Sequence, residues 1–345
     1  MKTIKVIALF LITAISLYSQ EIGQTFLSLN DTGVEEFLTL HPEYDGRGTI
    51  IIILDTGVDI GVDGLKQTST GETKFIDVQD FTHQGDVQLF EADVETDEGK
   101  TIFKDDEENY TVIASSSLEY SPADNNYYIG GFDEIRLMNS DSGTGDLNGD
   151  GDMEDVYVMV VFETSEGGES AAADWVVYLD LNGNGDISDD KPLRNYRDKQ
   201  DAFAFEYLGD LPPLTMGLNV LPEENSEDPA SVGIVSFHYD DGSHGTHVAG
   251  IAGGYQIGGI DFNGIAPGAK MMSMKLGNNL FSGGATVTES MKKAYLYADK
   301  VSKETETLCI INMSFGIGSE LEGLADMEKF LENLAKENPY LYISL

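Results

Sequence analysis

The chain has 345 residues, with 61 Asp and Glu against 20 Lys and Arg and a formal net charge of −41. Such an excess of anions repels phosphate backbones and anionic lipid, which excludes nucleic acid and an acidic membrane surface as natural partners. With 41% hydrophobic residues and 16 each of Tyr and Phe, the chain can still bury a sizeable core and is not read as disordered.

Residues 1–20 place Lys2 and Lys5 ahead of an apolar run, Val6 to Ile15, and a polar Ser19-Gln20, the layout of a secretory leader. The run is short for a membrane span and no other long apolar run follows. Export to the periplasm or the exterior is therefore expected, with no stable span once the leader is removed; a signal anchor is the alternative. Cys309 is the single cysteine, so no intrachain disulfide can form, and it is read as a small buried hydrophobe.

Ile50 to Leu54 is an unbroken apolar run rich in β-branched residues, which predicts a parallel strand buried on both faces, ended by Asp55-Thr56-Gly57. Open α/β sheets place their sites at such carboxyl strand ends. From about residue 86 to 233, short aromatic and β-branched runs alternate with acidic Gly/Asn turns, predicting a mostly β insertion with strands at Val156 to Phe162 and Trp175 to Leu179. Within it, Asp146, Asn148, Asp150 and Asp152, and again Asp180, Asn182, Asn184 and Asp186, present oxygens at alternate positions, like the first half of an EF-hand loop. Position twelve falls on Tyr157 and Lys191 instead of a bidentate Glu, so helix-loop-helix hands are not expected. Structural calcium in at least one loop and plain tight turns are the two readings.

Ala230 to Phe237 returns the chain to a strand. The segment His244-Gly-Thr-His-Val-Ala-Gly250 follows 189 residues after Asp55 and reads as a closely packed helix opened by His244. A helix N-terminus disfavours the charged imidazole, which suits a general base. Then come a strand at Lys270 to Leu276, a helix at Thr286 to Ser302, a strand at Leu308 to Met313, a helix at Leu321 to Lys336 and a strand at Tyr340 to Leu345. That alternation predicts a doubly wound parallel sheet. Two other readings exist. Asp55-Thr-Gly resembles an aspartic-protease loop; His244 and His247 could form a metal pair on one helical face.

Four blocks carry a family resemblance: His41 to Gly48 leading into Leu54 to Asp59, Leu193 to Tyr196, Gly242 to Ala249, and Asn263 to Lys270. On these the chain resembles the subtilases, subtilisin-like serine proteases, and among them the tripeptidyl-peptidase II branch, where the catalytic Asp and His are likewise far apart. The resemblance implies a subtilisin-like α/β fold, with a leader at 1–20, a first catalytic segment at 21–85, the acidic insertion at 86–233, and a continuation at 234–345. It assigns Asp55 and His244 to an Asp-His-Ser triad that needs no cofactor. It places Ser282 and Gly283 on one wall of a groove for extended peptide or protein substrates, and Ser314 and Gly316 on the other. The strand at Tyr340 should lead to the oxyanion Asn and then the nucleophilic Ser, so the chain is expected to be the front part of a longer protease, inactive by itself. Ser314 lacks the first Gly of a nucleophile elbow and is not a substitute. Acids that would hold a free substrate amine are not matched, since Glu289 falls several positions late; a secreted endopeptidase is the expectation, with a tripeptidyl aminopeptidase as the alternative. A non-catalytic, cation-binding secreted protein is the alternative of another class. Nothing in the sequence specifies an oligomeric state.

Overall fold

The computed structural model describes residues 29–107, 109–140, 145–164, 174–206, 213–221, 233–278, 288–314, 323 and 325–344. The chain divides into two units, one ending at Tyr44 and one starting at Asp45. In the first, helix α1 (Val34–Leu40) buries none of its residues, and the rings of Phe37, His41 and Tyr44 lie 5.3 to 6.4 Å apart.

Four successive isoleucines decide the centre of the second unit. Strand β1 (Thr49–Asp55) is buried from Ile50 onward, and a strand sends alternate side chains to opposite faces. Ile50, Ile52 and Leu54 therefore need one cover and Ile51 and Ile53 another, which a parallel sheet flanked by crossover helices provides. The other strands of this sheet are β2 (Phe75–Asp80), β14 (Lys270–Lys275), β15 (Leu308–Asn312) and β16 (Leu341–Ser344), in the order β16-β15-β1-β14-β2. Every pairing is parallel. Helix α2 (His244–Gly253) packs on the Ile51 and Ile53 face through Ala249. Helices α3 (Thr288–Thr305) and α4 (Asp326–Glu337) pack on the other through Met291, Tyr295, Ala298 and Leu334. Cys309 is buried in that second cluster, where burial pushes its thiol up to about 11.

The doubly wound sheet is the one expected, with two differences. Strand β2 was not anticipated, because Phe75-Ile-Asp-Val-Gln-Asp80 carries three polar residues in six, as suits a sheet edge. Helix α4 starts at Asp326 rather than Leu321: the Ala325 N–H donates to the Glu328 carboxylate at 2.9 Å, a capping contact that sets the first turn.

Residues 86–233 are built mainly of antiparallel strands. Strands β3 (Asp86–Gln88), β4 (Phe90–Glu91), β5 (Asp93–Asp97), β6 (Lys100–Lys104), β7 (Thr111–Ala114), β8 (Tyr128–Asp133), β9 (Val156–Thr164), β10 (Asp174–Leu179), β11 (Leu193–Arg194) and β12 (Gly217–Leu221) are followed by β13 (Ile234–His238). They form a five-stranded sheet β11-β10-β9-β8-β4 and two three-stranded sheets, β12-β13-β3 and β5-β6-β7. Alternation in β9 again serves two faces. Met159 and Val161 meet Leu218, Val235 and Phe237 of the β12-β13-β3 sheet, whereas Val160 and Phe162 meet Phe103 and Val112 of the β5-β6-β7 sheet. The segment also reaches the parallel sheet: Tyr196 is buried beside Val78, with its hydroxyl donating to the Phe75 carbonyl at 3.3 Å.

His238 joins β13 to β14, its Nε2 lying 2.8 Å from Ser273 Oγ. Burial, reinforced by Lys275, pushes the imidazole down to about 3. A neutral buried histidine contributes stability above its unfolded pKa near 6.5 and loses it as acid favours the protonated unfolded chain. The stability difference between wild type and His238→Gln should therefore shrink by about 1.4 kcal/mol per pH unit below 6.5. Urea titrations of both proteins between pH 5 and 7 check this.

Candidate active site

Strand β1 delivers Asp55 to the carboxyl edge of the sheet, fully buried, and helix α2 starts beside it. Asp55 Oδ1 accepts the Thr56 N–H at 2.8 Å and lies 2.8 Å from His244 Nδ1. A carboxylate at that distance favours the tautomer with hydrogen on Nδ1, which leaves the Nε2 lone pair free to take a proton. The His244 side chain is 51% exposed while that of Asp55 is 0% exposed, so the pair is closed behind and open in front.

This closeness explains two glycines. A Cβ on Gly245 would stand 1.9 Å from the Gly57 carbonyl oxygen, and one on Gly57, whose φ is +102°, would stand 2.0 Å from the Tyr239 carbonyl oxygen. Only bare backbone lets the helix reach the Asp55 loop.

Three buried charges hold the arrangement, and sequence reasoning found none of them. Asp240 Oδ1 accepts the Thr56 hydroxyl at 3.0 Å and the Gly242 and Ser243 N–H groups at 3.0 and 2.9 Å, while Oδ2 accepts the Thr246 hydroxyl. The carboxylate thus sits at the N-terminus of α2, where the helix dipole favours it. Thr56 Oγ1 in turn accepts the Gly245 N–H at 3.1 Å. At the other end, Lys74 Nζ donates to the carbonyls of Gly253 and Pro267 at 2.5 and 2.7 Å; its burial pulls the ammonium down to about 8. Beneath the loop, buried Lys275 donates to the Thr56 and Gly277 carbonyls at 3.0 and 2.7 Å and lies 3.6 Å from Asp241. The available signal was the acidic pair Asp240-Asp241 just before the His motif, which composition alone reads as part of a solvated surface.

Of the expected groove residues, Ser314 lies just past β15, exposed, and its Oγ accepts from Asn312 Nδ2 at 3.0 Å. Ser282, Gly283 and Gly316 lie outside the described residues. In the first acidic loop, Asp150 and Asp152 converge with Asp155 so that one carboxylate oxygen of each lies within 4.8 Å of the others. Asp146 and Asn148 accept backbone N–H groups of their own turn, at Gly151 and Asp150 respectively. In the second loop, Asp180, Asn182, Asn184 and Asp186 do the same toward Gly185, Asn184, Asp186 and Ser188. His247 is exposed on α2, while His244 Nδ1 is already committed to Asp55.

A model of the subtilase family matches residues 46–343. Tripeptidyl-peptidase 2 of Caenorhabditis elegans is 25% identical over 94% of this chain and 26% of its own length, and that of Oryza sativa subsp. japonica is 28% identical over 91% and 25%. Pyrolysin of Pyrococcus furiosus is 30% identical over 61% of this chain and 15% of its own. The crystal structure of tripeptidyl peptidase 2 superposes with a TM-score of 0.59 at 19% identity, over 88% of this chain and 26% of that one, which supports the fold. The chain thus spans about a quarter of the length of the tripeptidyl-peptidase relatives it matches.

Replacing Asp240 by Asn keeps the shape but sets an amide against donors on one side. The expected cost is about 2 to 3 kcal/mol, with Thr56→Ser, which keeps the hydroxyl's links to both Asp240 and Gly245 and removes only a methyl group, costing about 1. Urea unfolding of the two variants measures it, and equal losses would contradict the central place given to Asp240.

Proposed function

The chain belongs to the subtilase family, and from that premise we propose that Asp55 and His244 are the orienting acid and general base of a serine-peptidase triad in a tripeptidyl peptidase. The observation that carries the proposal is the 2.8 Å contact between His244 Nδ1 and Asp55 Oδ1, closed behind and open in front. In this reading Nε2 takes the proton of an attacking serine and returns it to the departing amine, while the Asp55 carboxylate stabilises the imidazolium formed in between. Gly-Thr-Ser does not occur in the sequence. Because the tripeptidyl-peptidase relatives are about four times longer than the matched region, we place the nucleophile and its oxyanion donor in sequence following Leu345.

Tripeptide release is supported by the relatives that share more than nine-tenths of the chain. Endopeptidase cleavage is the second reading, favoured by the absence of any acidic residue from Leu276 to Thr288, the stretch where an amine-binding acid would be sought. Glu289, the first acid after it, is exposed in the first turn of α3. Export is proposed from the layout of residues 1–20, and among the described residues no helix is long and apolar enough to cross a membrane.

In the full-length protein, His244→Ala and Asp55→Ala should each lower turnover by about 10⁴-fold or more. Residues 1–345 alone should neither turn over peptides nor react with a serine-directed phosphonate. A tripeptide anilide with a free amine should be cleaved and its acetylated counterpart spared; equal cleavage of both would select the endopeptidase.

A further inference from the structure

We propose that residues 146–155 form a calcium site whose missing acidic ligand comes from Glu134, outside the loop. The loop has the spacing of an EF-hand through its seventh position, but its twelfth is Tyr157, not Glu. The fold supplies the replacement in space. Glu134 opens the single 3₁₀ turn that follows β8, fully buried, and its backbone N–H donates to the Asp155 carbonyl at 3.0 Å. One of its carboxylate oxygens accepts the Leu147 N–H within the loop. The other, Oε2, is buried with no hydrogen-bond partner among the described residues.

A second buried polar group faces the same place. Tyr157 is 2% exposed, and its hydroxyl also has no partner among the described residues. The strongest charges acting on it are those of Glu134, Asp155, Asp150 and Asp146, and the strongest acting on Glu134 are those of Asp155 and Asp146. Asp150, Asp152 and Asp155 complete the ring, their oxygens within 4.8 Å of one another. Carboxylates gathered around a buried carboxylate repel strongly, and the strongest charges acting on either buried group are all carboxylates. A hard divalent ion that takes six to eight oxygens resolves this, with Glu134 in the place of the bidentate twelfth residue and the Tyr157 hydroxyl donating to its shell. The Asp180 loop offers a comparison: its backbone turn is alike, but among the described residues its carboxylates do not converge as a trio.

The test uses the full chain stripped with EDTA and titrated with calcium, reading radiolabelled calcium bound and the unfolding temperature. Saturable binding below about 1 mM with a rise in unfolding temperature is expected. Asp152→Asn, an exposed change that leaves the core untouched, should weaken binding at least tenfold. Asp186→Asn in the other loop should leave that binding unchanged. Glu134→Gln should be insensitive to calcium and, without it, unfold at a higher temperature than the stripped wild type, because the repulsion is gone. Absence of binding by wild type, wild-type affinity in both Asp152→Asn and Glu134→Gln, or loss of the ion in Asp186→Asn alone would each overturn the proposal.

Discussion

One buried carboxylate, Asp240, couples the two halves of the candidate site. It binds the Thr56 hydroxyl on one side and the first N–H groups around helix α2 on the other, so the loop bearing Asp55 and the helix bearing His244 cannot shift independently. A charged acceptor shared among several donors is stronger than the same number of neutral bonds, and its direction is set by the helix dipole. The 2.8 Å contact of Asp55 with His244 is the product of that geometry. The close approach at Gly57 and Gly245 is what the geometry demands of the sequence.

Two cations of this strongly acidic chain lie in its interior. Lys74 and Lys275 are wholly buried and both spend their ammonium groups on backbone carbonyls, Lys74 at the C-terminus of α2 and Lys275 under the Asp55 loop. A buried ammonium is costly unless its hydrogens are satisfied, so each lysine fixes the carbonyls around it in one arrangement. Both lysines thus serve positioning, in an interior that also holds the buried carboxylates of Asp55, Asp240 and Asp241.

What the sequence revealed follows from range. Strand β1, helix α2, the parallel alternation after Lys270 and the β character of the insertion are written in consecutive residues, as apolar runs, small-residue spacing and turn pairs. Asp55 and His244 were legible because each sits in a short, chemically constrained motif. Asp240, Lys74 and Lys275 were not, because their partners are 179 to 219 residues away in the case of Lys74 with Gly253, Asp240 with Thr56 and Lys275 with Thr56. The same holds for Glu134, whose approach to the acidic loop depends on how β8 and β9 pair. Strand β2 was missed for a milder reason: an edge strand tolerates polar residues, and its pattern lacks the unbroken apolar signature of β1.

The pairing of β3 with β13 has a consequence for how such a chain can fold. Gln88 lies opposite Ile234 and Asp86 opposite Ser236, so the segment between them starts and finishes at one point. Bringing Asp55 to His244 across an open chain would demand a long search, since closing larger loops costs entropy and slows folding. Once the antiparallel strands have zipped, the segment acts as a closed excursion, and the effective distance along the chain between the two motifs falls to a few tens of residues. A long detour can thus be accommodated between two residues that must meet, provided that it returns to its own doorway.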